Sequence, residues 1–231
     1  MSTQLILPIQ PPDAHRFENF YRGRNVVLLN CLQQFSLKIG EPYIYIWGNP
    51  GTGRTHLLQA CCHAAQEQGF SVAYLPLSTL KKNNSSEILR GLESVDMVCI
   101  DDLESVVNDN CWEESLFHFY NRIQEQSRYL LIAAKHNPHQ LNFSLPDLIS
   151  RLSSGVLFQV HALNEAEQFI ALQERAYLRG LEFSEEVGQF LLLRLPRDSQ
   201  ALFSALTQLD KATLRLKRKL TIPLVKKILK L

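Results

Sequence analysis

Residues 48–55 read Gly48-Asn49-Pro50-Gly51-Thr52-Gly53-Arg54-Thr55. This is the phosphate-binding pattern G-x-x-x-x-G-K-[ST], with arginine where the pattern has lysine. The glycines let backbone N–H groups point at phosphate oxygens without obstruction from side chains. The stretch therefore predicts a nucleotide site in an α/β protein. The residues that we expect to contact the nucleotide are Gly48, Gly51, Thr52, Gly53, Arg54 and Thr55.

The segments on both sides of this loop fit the prediction. Residues 43–47 are rich in strand-forming side chains, and residues 56–65 form an apolar, alanine-rich helical pattern that stops near Gly69. Phosphates are favoured at a helix N-terminus because the helix dipole is positive there. Thr55 occupies the position of the hydroxyl that binds Mg²⁺. A chance glycine-rich turn is the less favoured alternative.

A second motif lies at residues 94–103, where an apolar run ends in Asp101 and Asp102. Such a run is typical of a parallel strand that is covered on both faces. An acid at the carboxyl end of this strand would lie in the crevice where open α/β sheets bind ligands. Asp101 is the expected Mg²⁺ ligand, and Asp102 is the candidate for orienting an attacking water. Alternatively, Asp102 caps the segment that follows it.

Strand and helix patterns alternate through the first two thirds of the chain, which predicts a five-stranded, parallel, doubly wound sheet. The predicted strands are residues 43–47, 71–76, 95–100, 129–134 and 156–160. After His161 only amphipathic helices are predicted, over 164–179, 184–194, 199–216 and 222–231, with caps at Asn164, Ser184, Ser199 and Thr221. The expected organisation is a tail at 1–10, an α/β base at 11–160 and a helical unit at 161–231.

Composition narrows the class of protein. The net charge of +1 over 231 residues does not support a nucleic-acid footprint across the whole protein. The basic run at 215–219 is typical of a solvated face, with a phosphate-binding patch as the alternative. Five cysteines without C-x-x-C spacing, several of them in apolar contexts, predict reduced core thiols in a cytoplasmic protein. The sequence shows neither a signal peptide nor a long apolar span, so we expect no membrane association.

Several stretches resemble AAA+ ATPases of the replication-initiator group, the DnaA family, and within it the short homologues of the Hda group. The resemblance spans essentially the whole chain. The stretches that carry it are residues 195–198, 206–212 and 219–229 near the C-terminus, 142–152 in the predicted base, and 4–9 in the tail. The resemblance implies an AAA+ base followed by an all-α lid.

The resemblance also implies roles for individual residues. Arg151 matches the arginine finger, which reaches into the nucleotide site of a neighbouring subunit; the alternative is an ordinary arginine at a helix end. The tail resembles the peptide that binds the sliding clamp, the β subunit of DNA polymerase III. Its expected contact residues are Gln4, Leu5, Leu7, Pro8 and Ile9. A frayed terminus, or a first strand packed on its own domain, is the alternative for the tail.

Two positions depart from the family pattern at the phosphate end of the pocket. Lys135 stands where the family has a small polar or acidic residue. Gln200 stands where the family has an arginine that touches bound phosphate, so Gln200 is a further expected nucleotide contact. Arg54, in contrast, is shared by the Hda group. The resemblance therefore implies that ADP or ATP binds with Mg²⁺, that ADP is favoured, and that the chain's own ATP hydrolysis is slow.

The function that these features favour is regulation of replication initiation. The chain would dock on the DNA-loaded clamp, hold nucleotide, and offer Arg151 to ATP-bound DnaA, so that the initiator is inactivated by hydrolysis. No DNA-binding domain follows the lid helices, so we expect no direct sequence-specific DNA binding; a homo-oligomer is possible. Two alternatives stay open: an AAA+ ATPase that loads or remodels replication proteins by its own cycle, and a degenerate member that binds no nucleotide.

Overall fold

The computed structural model describes residues 15–83, 86–196, 199–216 and 219–231. The predicted clamp-binding residues Gln4, Leu5, Leu7, Pro8 and Ile9 lie outside this part of the chain. The described residues divide into two compact units. The first unit runs to Val160 and omits Pro50–Gly53, which group with His161–Leu231 in the second unit.

The first unit contains a five-stranded parallel sheet, which confirms the predicted fold class. Its strands are β1 Tyr43–Trp47, β2 Val72–Pro76, β3 Met97–Asp101, β4 Tyr129–Ala134 and β5 Val156–Gln159. They lie in the order β2-β3-β4-β1-β5, and every neighbouring pair is parallel. The three central strands are almost wholly buried, as near-continuous apolar runs require.

Helices cover both faces of this sheet. They are α1 Val26–Ser36, α2 Arg54–Glu67, α3 Leu77–Leu80, α4 Asn110–Glu125 and α5 Pro146–Leu152. Side chains alternate between the two faces along each strand. Accordingly, Tyr43 and Tyr45 pack in the core that includes α4 and α5, whereas Ile44 and Ile46 pack in the core that includes α1 and α2.

The core that includes α1 and α2 contains three cysteines, which the sequence predicts to be reduced thiols. Cys61, Cys62 and Cys99 are buried and free. Burial raises the pKa of the Cys61 thiol well above its usual value. These cysteines therefore behave as small apolar core residues.

A charged cluster joins the amino-terminal ends of two strands. Asp96 directly precedes β3, and its carboxylate accepts hydrogen bonds from the backbone N–H of Ser71 at 3.0 Å and from the Ser71 hydroxyl at 2.7 Å. It also pairs with Lys38 at 2.9 Å and Arg128 at 3.2 Å. The hydrogen bonds from Ser71 and then Lys38 hold the pKa of Asp96 well below its usual range. The cluster therefore ties β2 and β3 to the segments that precede β1 and β4.

The second unit is helical, as predicted, with α6 Glu165–Leu178, α7 Glu185–Arg194, α8 Ser199–Leu216 and α9 Ile222–Leu229. Asn164 closes a capping box with Glu167, and the Ser184 hydroxyl accepts from the N–H of Val187, so these two predicted caps are confirmed.

Of the other two predicted caps, the one at Thr221 is wrong in detail. Thr221 occupies the N-cap position of α9 but makes no side-chain cap hydrogen bond. The described part of α8 begins at Ser199, whose side chain lies outside the described residues, so the Ser199 cap stays a prediction. Pro223 at the start of α9 removes one N–H from the set that a cap would satisfy, so α9 depends less on its cap.

Candidate nucleotide site and the exposed arginine

The sheet order brings the chemistry-bearing segments of the first unit to one edge. Because β4 lies between β1 and β3, the residues after β1, after β4 and at the end of β3 meet at the carboxyl edge of the sheet. The N–H of Gly48 donates to the carbonyl oxygen of Ala134 at 3.2 Å. This bond fixes the start of the glycine-rich loop against the end of β4.

The glycine-rich loop connects β1 to α2 and has the backbone that the pattern predicts. Gly51 and Gly53 have φ values of 80° and 93°, in the left-handed region that favours glycine. The loop leads directly into α2, a helix of 14 residues that begins at Arg54. The start of a helix presents backbone N–H groups and the positive end of the helix dipole, so an anion is favoured at this position.

Asp101 lies at the end of β3 and is 1% exposed. Its carboxylate accepts hydrogen bonds from the Tyr74 hydroxyl at 2.9 Å and from the N–H of Asp102 at 2.9 Å. The Thr55 hydroxyl is a further partner, so the two predicted metal-binding residues lie together. Burial raises the pKa of Asp101, and the hydrogen bonds from Thr55 and Tyr74 oppose that rise.

Asp102 has a left-handed backbone with φ of 55°, unusual for a residue other than glycine. Its carboxylate accepts a hydrogen bond from the Ser78 hydroxyl at 2.6 Å. It makes no side-chain cap hydrogen bond to the following turn, Leu103–Val106, so the capping alternative is wrong. Ser78 therefore sets the orientation of the carboxylate that was predicted to act on water.

Arg54 is held by a carboxylate that the sequence reading missed. Its Nη1 atom lies 3.6 Å from Oε1 of Glu104, with side chains that are 11% and 27% exposed respectively. Arg54 Nη1 is buried and has no hydrogen-bond partner among the described residues. The other oxygen of Glu104 accepts from the N–H of Lys135 at 2.9 Å. The sequence feature that could have pointed to this contact is Glu104 itself, the third acid in the run Asp101-Asp102-Leu103-Glu104.

The two departures from the family pattern fall in different units of the chain. The Lys135 side chain is exposed, and its described contact is the backbone bond to Glu104. Gln200 lies in the first turn of α8, and its side chain is outside the described part of the structure.

Arg151 lies in the last turn of α5 and is exposed. Its side chain has no hydrogen bond or ion pair within the described ranges. The start of α5 is held by Glu113, a buried residue of α4 that is 1% exposed. Glu113 accepts from the N–H of Leu145, the N-cap residue of α5, at 2.9 Å, and from the N–H of Asn108 at 3.0 Å.

The end of α5 is held as firmly. The Tyr43 hydroxyl donates to the carbonyl oxygen of Leu152 at 2.8 Å. The hydroxyls of Tyr120 and Ser154 lie 2.7 Å apart, and Ser154 also donates to the carbonyl oxygen of Arg151 at 2.8 Å. The backbone of Arg151 is therefore fixed to the core while its guanidinium faces solvent.

The oxygen atoms of Thr55 and Asp101 fit a magnesium ion, which prefers hydroxyl, carboxylate and phosphate oxygens. No group of three or more His, Cys, Asp or Glu side chains that could hold a metal occurs among the described residues. Nor is any described helix long and apolar enough to cross a membrane.

A five-stranded parallel sheet in this order, with a glycine-rich loop after β1 and an acid at the end of β3, defines a P-loop nucleotide-binding protein of the AAA+ class. A lid-like helical unit follows it. The chain belongs to the bacterial DnaA ATPase-domain family, whose model matches residues 12–159. Residues 165–229 match the model of the Hda lid domain, so this is an AAA+ protein of the Hda/DnaA family.

Solved structures agree with this assignment. Domain III of the Thermotoga maritima replication initiation protein DnaA is similar with a TM-score of 0.80 and 21% identity, over 95% of this chain and 97% of that one. AMPPCP-bound DnaA from Aquifex aeolicus has a TM-score of 0.73 and 25% identity, over 87% and 66%. A DNA replication initiation factor has a TM-score of 0.70 and 25% identity, over 84% of this chain. The present chain spans 63% of the length of that factor.

Proposed function

We propose that this protein regulates the initiation of bacterial DNA replication by placing Arg151 in the nucleotide site of ATP-bound DnaA, where it promotes hydrolysis. The observation that carries this proposal is an exposed arginine without an ion-pair partner among the described residues, on a helix held at both ends. Family membership makes DnaA the favoured recipient. The initiator would then be left with ADP and could not act again at once.

The chemistry of this step needs a positive charge in a fixed place. An arginine supplied to a neighbouring nucleotide site stabilises charge on the transferring phosphoryl group and raises the rate by roughly 10³–10⁵-fold. Such stabilisation is largest when the donor is already positioned before the reaction. Glu113 and Tyr43 supply that positioning for Arg151, since they fix the two ends of α5.

The chain's own site would hold an adenine nucleotide, with ADP favoured over ATP. The loop N–H groups and the start of α2 would bind the phosphates, while Thr55 and Asp101 would bind Mg²⁺. When bound, Mg²⁺ would neutralise phosphate charge. We expect the chain's own hydrolysis to be slow, because Ser78 holds Asp102 and Glu104 holds Arg54.

The tail is proposed to recruit the protein to DNA-loaded clamp through Gln4, Leu5, Leu7, Pro8 and Ile9. The proposed division is a clamp-binding tail at 1–10, a nucleotide-binding base at 11–160 and a lid at 161–231. An extended apolar peptide of this kind binds by burying a few anchors in a preformed groove. Deleting residues 1–9 should abolish clamp binding while leaving the fold intact. Retention of clamp binding would contradict this part.

The test of the arginine is a reconstituted assay with DnaA loaded with labelled ATP, clamp on DNA, and this protein. Arg151→Ala should remove the stimulation of hydrolysis and keep nucleotide binding in the chain's own site. Arg90→Ala is the matched control, because Arg90 is also an exposed arginine of the first unit, with 79% of its side chain accessible. Full stimulation by Arg151→Ala would overturn the proposal.

The same assay separates the alternative of a self-cycling ATPase. Without DnaA, the chain should turn over added ATP far more slowly than ordinary enzymes, which work at ~1 s⁻¹ or faster. Rapid turnover that survives Arg151→Ala would favour the self-cycling ATPase. Failure of the purified chain to bind either nucleotide would favour the degenerate member of the family.

A further inference from the structure

We propose that Glu104 is a specificity-determining residue that makes the chain's own site prefer nucleoside diphosphate to triphosphate by neutralising Arg54. The inference rests on the proposed function, because it requires that this site holds nucleotide. It assigns the preference to one carboxylate and gives a reason for arginine at the position where the loop pattern has lysine.

The first observation is the local charge balance around Arg54. In a phosphate-binding loop the cation at this position reaches the β- and γ-phosphates. Here the cation has Glu104 Oε1 at 3.6 Å, and only 11% of the Arg54 side chain is exposed. A third phosphate arriving at Arg54 would meet an ion pair with no net charge rather than a free cation.

The second observation is that Glu104 cannot easily turn away. Its Oε2 atom accepts from the N–H of Lys135, so the carboxylate is bound at the end of β4. Leu103 and Val106, which flank it in the same turn, are fully buried and anchor that turn to the core. Glu104 is therefore held between the end of β4 and Arg54.

The third observation is that the nearby hydroxyl of Tyr45 is engaged away from the Arg54–Glu104 pair. Burial is the main cause that raises the pKa of Tyr45; the charge of Glu104 raises it further and the charge of Arg54 lowers it. The Tyr45 hydroxyl donates to the carbonyl oxygen of His136 at 2.8 Å. The Tyr45 hydroxyl is thus engaged with His136 rather than with Glu104.

The diphosphate does not depend on this pair to the same extent. Its phosphates would be bound by the N–H groups of the loop and of the α2 start, which carry no counter-charge. The additional phosphate of a triphosphate brings further negative charge towards Arg54 and towards the nearby carboxylate. Glu104 therefore penalises the triphosphate selectively.

The test compares the dissociation constants of ADP and of a non-hydrolysable ATP analogue, both with Mg²⁺, measured by calorimetry on the full chain. Glu104→Gln keeps an oxygen for the Lys135 N–H and removes the charge. We expect the affinity for the triphosphate relative to the diphosphate to rise about tenfold, as expected for removal of one charge a few ångströms from a phosphate. Glu87→Gln is the control: it also breaks an Arg–Glu pair, in this case an exposed one with Arg90, and should leave the ratio unchanged.

A second pair of variants tests the mechanism through charge symmetry. Arg54→Ala leaves Glu104 unneutralised and should shift the ratio towards the diphosphate. Arg54→Ala combined with Glu104→Gln removes both charges, and its ratio should return to within about threefold of the wild-type value, because the site is again uncharged. The double variant leaves no uncompensated buried charge, so it should fold even if a single variant does not. Its affinity ratio can then still be measured.

The outcomes separate the inference from the proposed function. An unchanged ratio in Glu104→Gln, or a ratio for the double variant that follows either single variant, overturns the inference and leaves the role of Arg151 standing. A wild-type chain that binds neither nucleotide overturns the inference together with the nucleotide-holding part of the proposed function. Loss of stimulation in Arg151→Ala is independent of all these ratios.

Discussion

Replacing Glu113 with alanine should loosen the start of the helix that carries Arg151. Glu113 is 1% exposed, and its two carboxylate oxygens accept separately from the N–H groups of Asn108 and Leu145. Truncation removes both acceptors at once and leaves space where the side chain was. The structure offers these two donors no other acceptor in its described part.

The size of the effect follows from those two bonds. A buried donor left without its partner costs about 1–3 kcal/mol, and hydrogen bonds to charged groups lie towards the upper end. Both donors are partly buried, so water would recover some of the loss. We therefore expect Glu113→Ala to lower the free energy of unfolding by about 2–4 kcal/mol. Glu113→Gln should cost less than Glu113→Ala, because its amide oxygen still serves one of the two donors and leaves only the other without an acceptor.

The assay is urea denaturation followed by tryptophan fluorescence. The chain has two tryptophans, Trp47 and Trp112, and both lie in the first unit, so the signal reports that unit alone. Glu114→Ala is the matched control, because this neighbouring residue of α4 is exposed. Its effect should stay within about 0.5 kcal/mol, as for most surface substitutions.

The proposed stimulation of DnaA provides a second measurement on the same proteins. The assay is run without urea, at a temperature where Glu113→Ala is still folded. The ATP hydrolysis of DnaA should then be stimulated less by Glu113→Ala than by Glu114→Ala, because the start of α5 is no longer fixed. Equal stabilities of the two variants would refute the reasoning about buried donors. Lower stability with full stimulation would refute only the link between Glu113 and Arg151.

Two further changes test the packing that frames the site. Asp96→Asn should lower the free energy of unfolding by about 1–2 kcal/mol at pH 7, because the bonds from Ser71 lose a charged acceptor. Those bonds depress the pKa of Asp96 in the folded state, so the contribution of Asp96 to the free energy of unfolding is present above the unfolded pKa of about 3.9 and is lost as the pH falls below that value. The stability difference between wild type and Asp96→Asn should therefore narrow in urea titrations at pH 3, and an unchanged difference would contradict this. Gly155→Ala would place a Cβ atom 2.2 Å from Cδ1 and 2.7 Å from the carbonyl oxygen of Tyr43. It should lower stability by about 1–3 kcal/mol and weaken stimulation through Arg151, and an unchanged thermal melt would show that the contact is relieved without cost.

Most of the sheet could be predicted because its strands are apolar runs bounded by turns. Each predicted strand lies within two residues of an observed one, and β3 extends one residue further than predicted, so that Asp101 is inside the strand. The strand order could not be read from such runs, because hydrophobicity records burial and not which neighbour a strand pairs with. That order decides which residues meet at the carboxyl edge.

The same reasoning explains what was missed in the site. The glycine-rich loop and Asp101 belong to a local pattern with fixed spacing, so sequence alone points to them. Three contacts were missed because their partners are at least 24 residues apart in the sequence, where no local spacing records them: Tyr74 with Asp101, Ser78 with Asp102, and Glu104 with Arg54. The support of Arg151 by Glu113 is of this kind too, since 32 residues separate Glu113 from Leu145.

The central claim is that Arg151 acts in the site of another protein, and single-turnover hydrolysis of ATP bound to DnaA tests it most directly. Arg151→Lys keeps the positive charge but loses the planar fork that matches phosphate oxygens. With clamp and DNA present, we expect this variant to slow hydrolysis at least about 100-fold relative to wild type, and Arg151→Ala to abolish stimulation. Wild-type rates with Arg151→Ala would contradict the account.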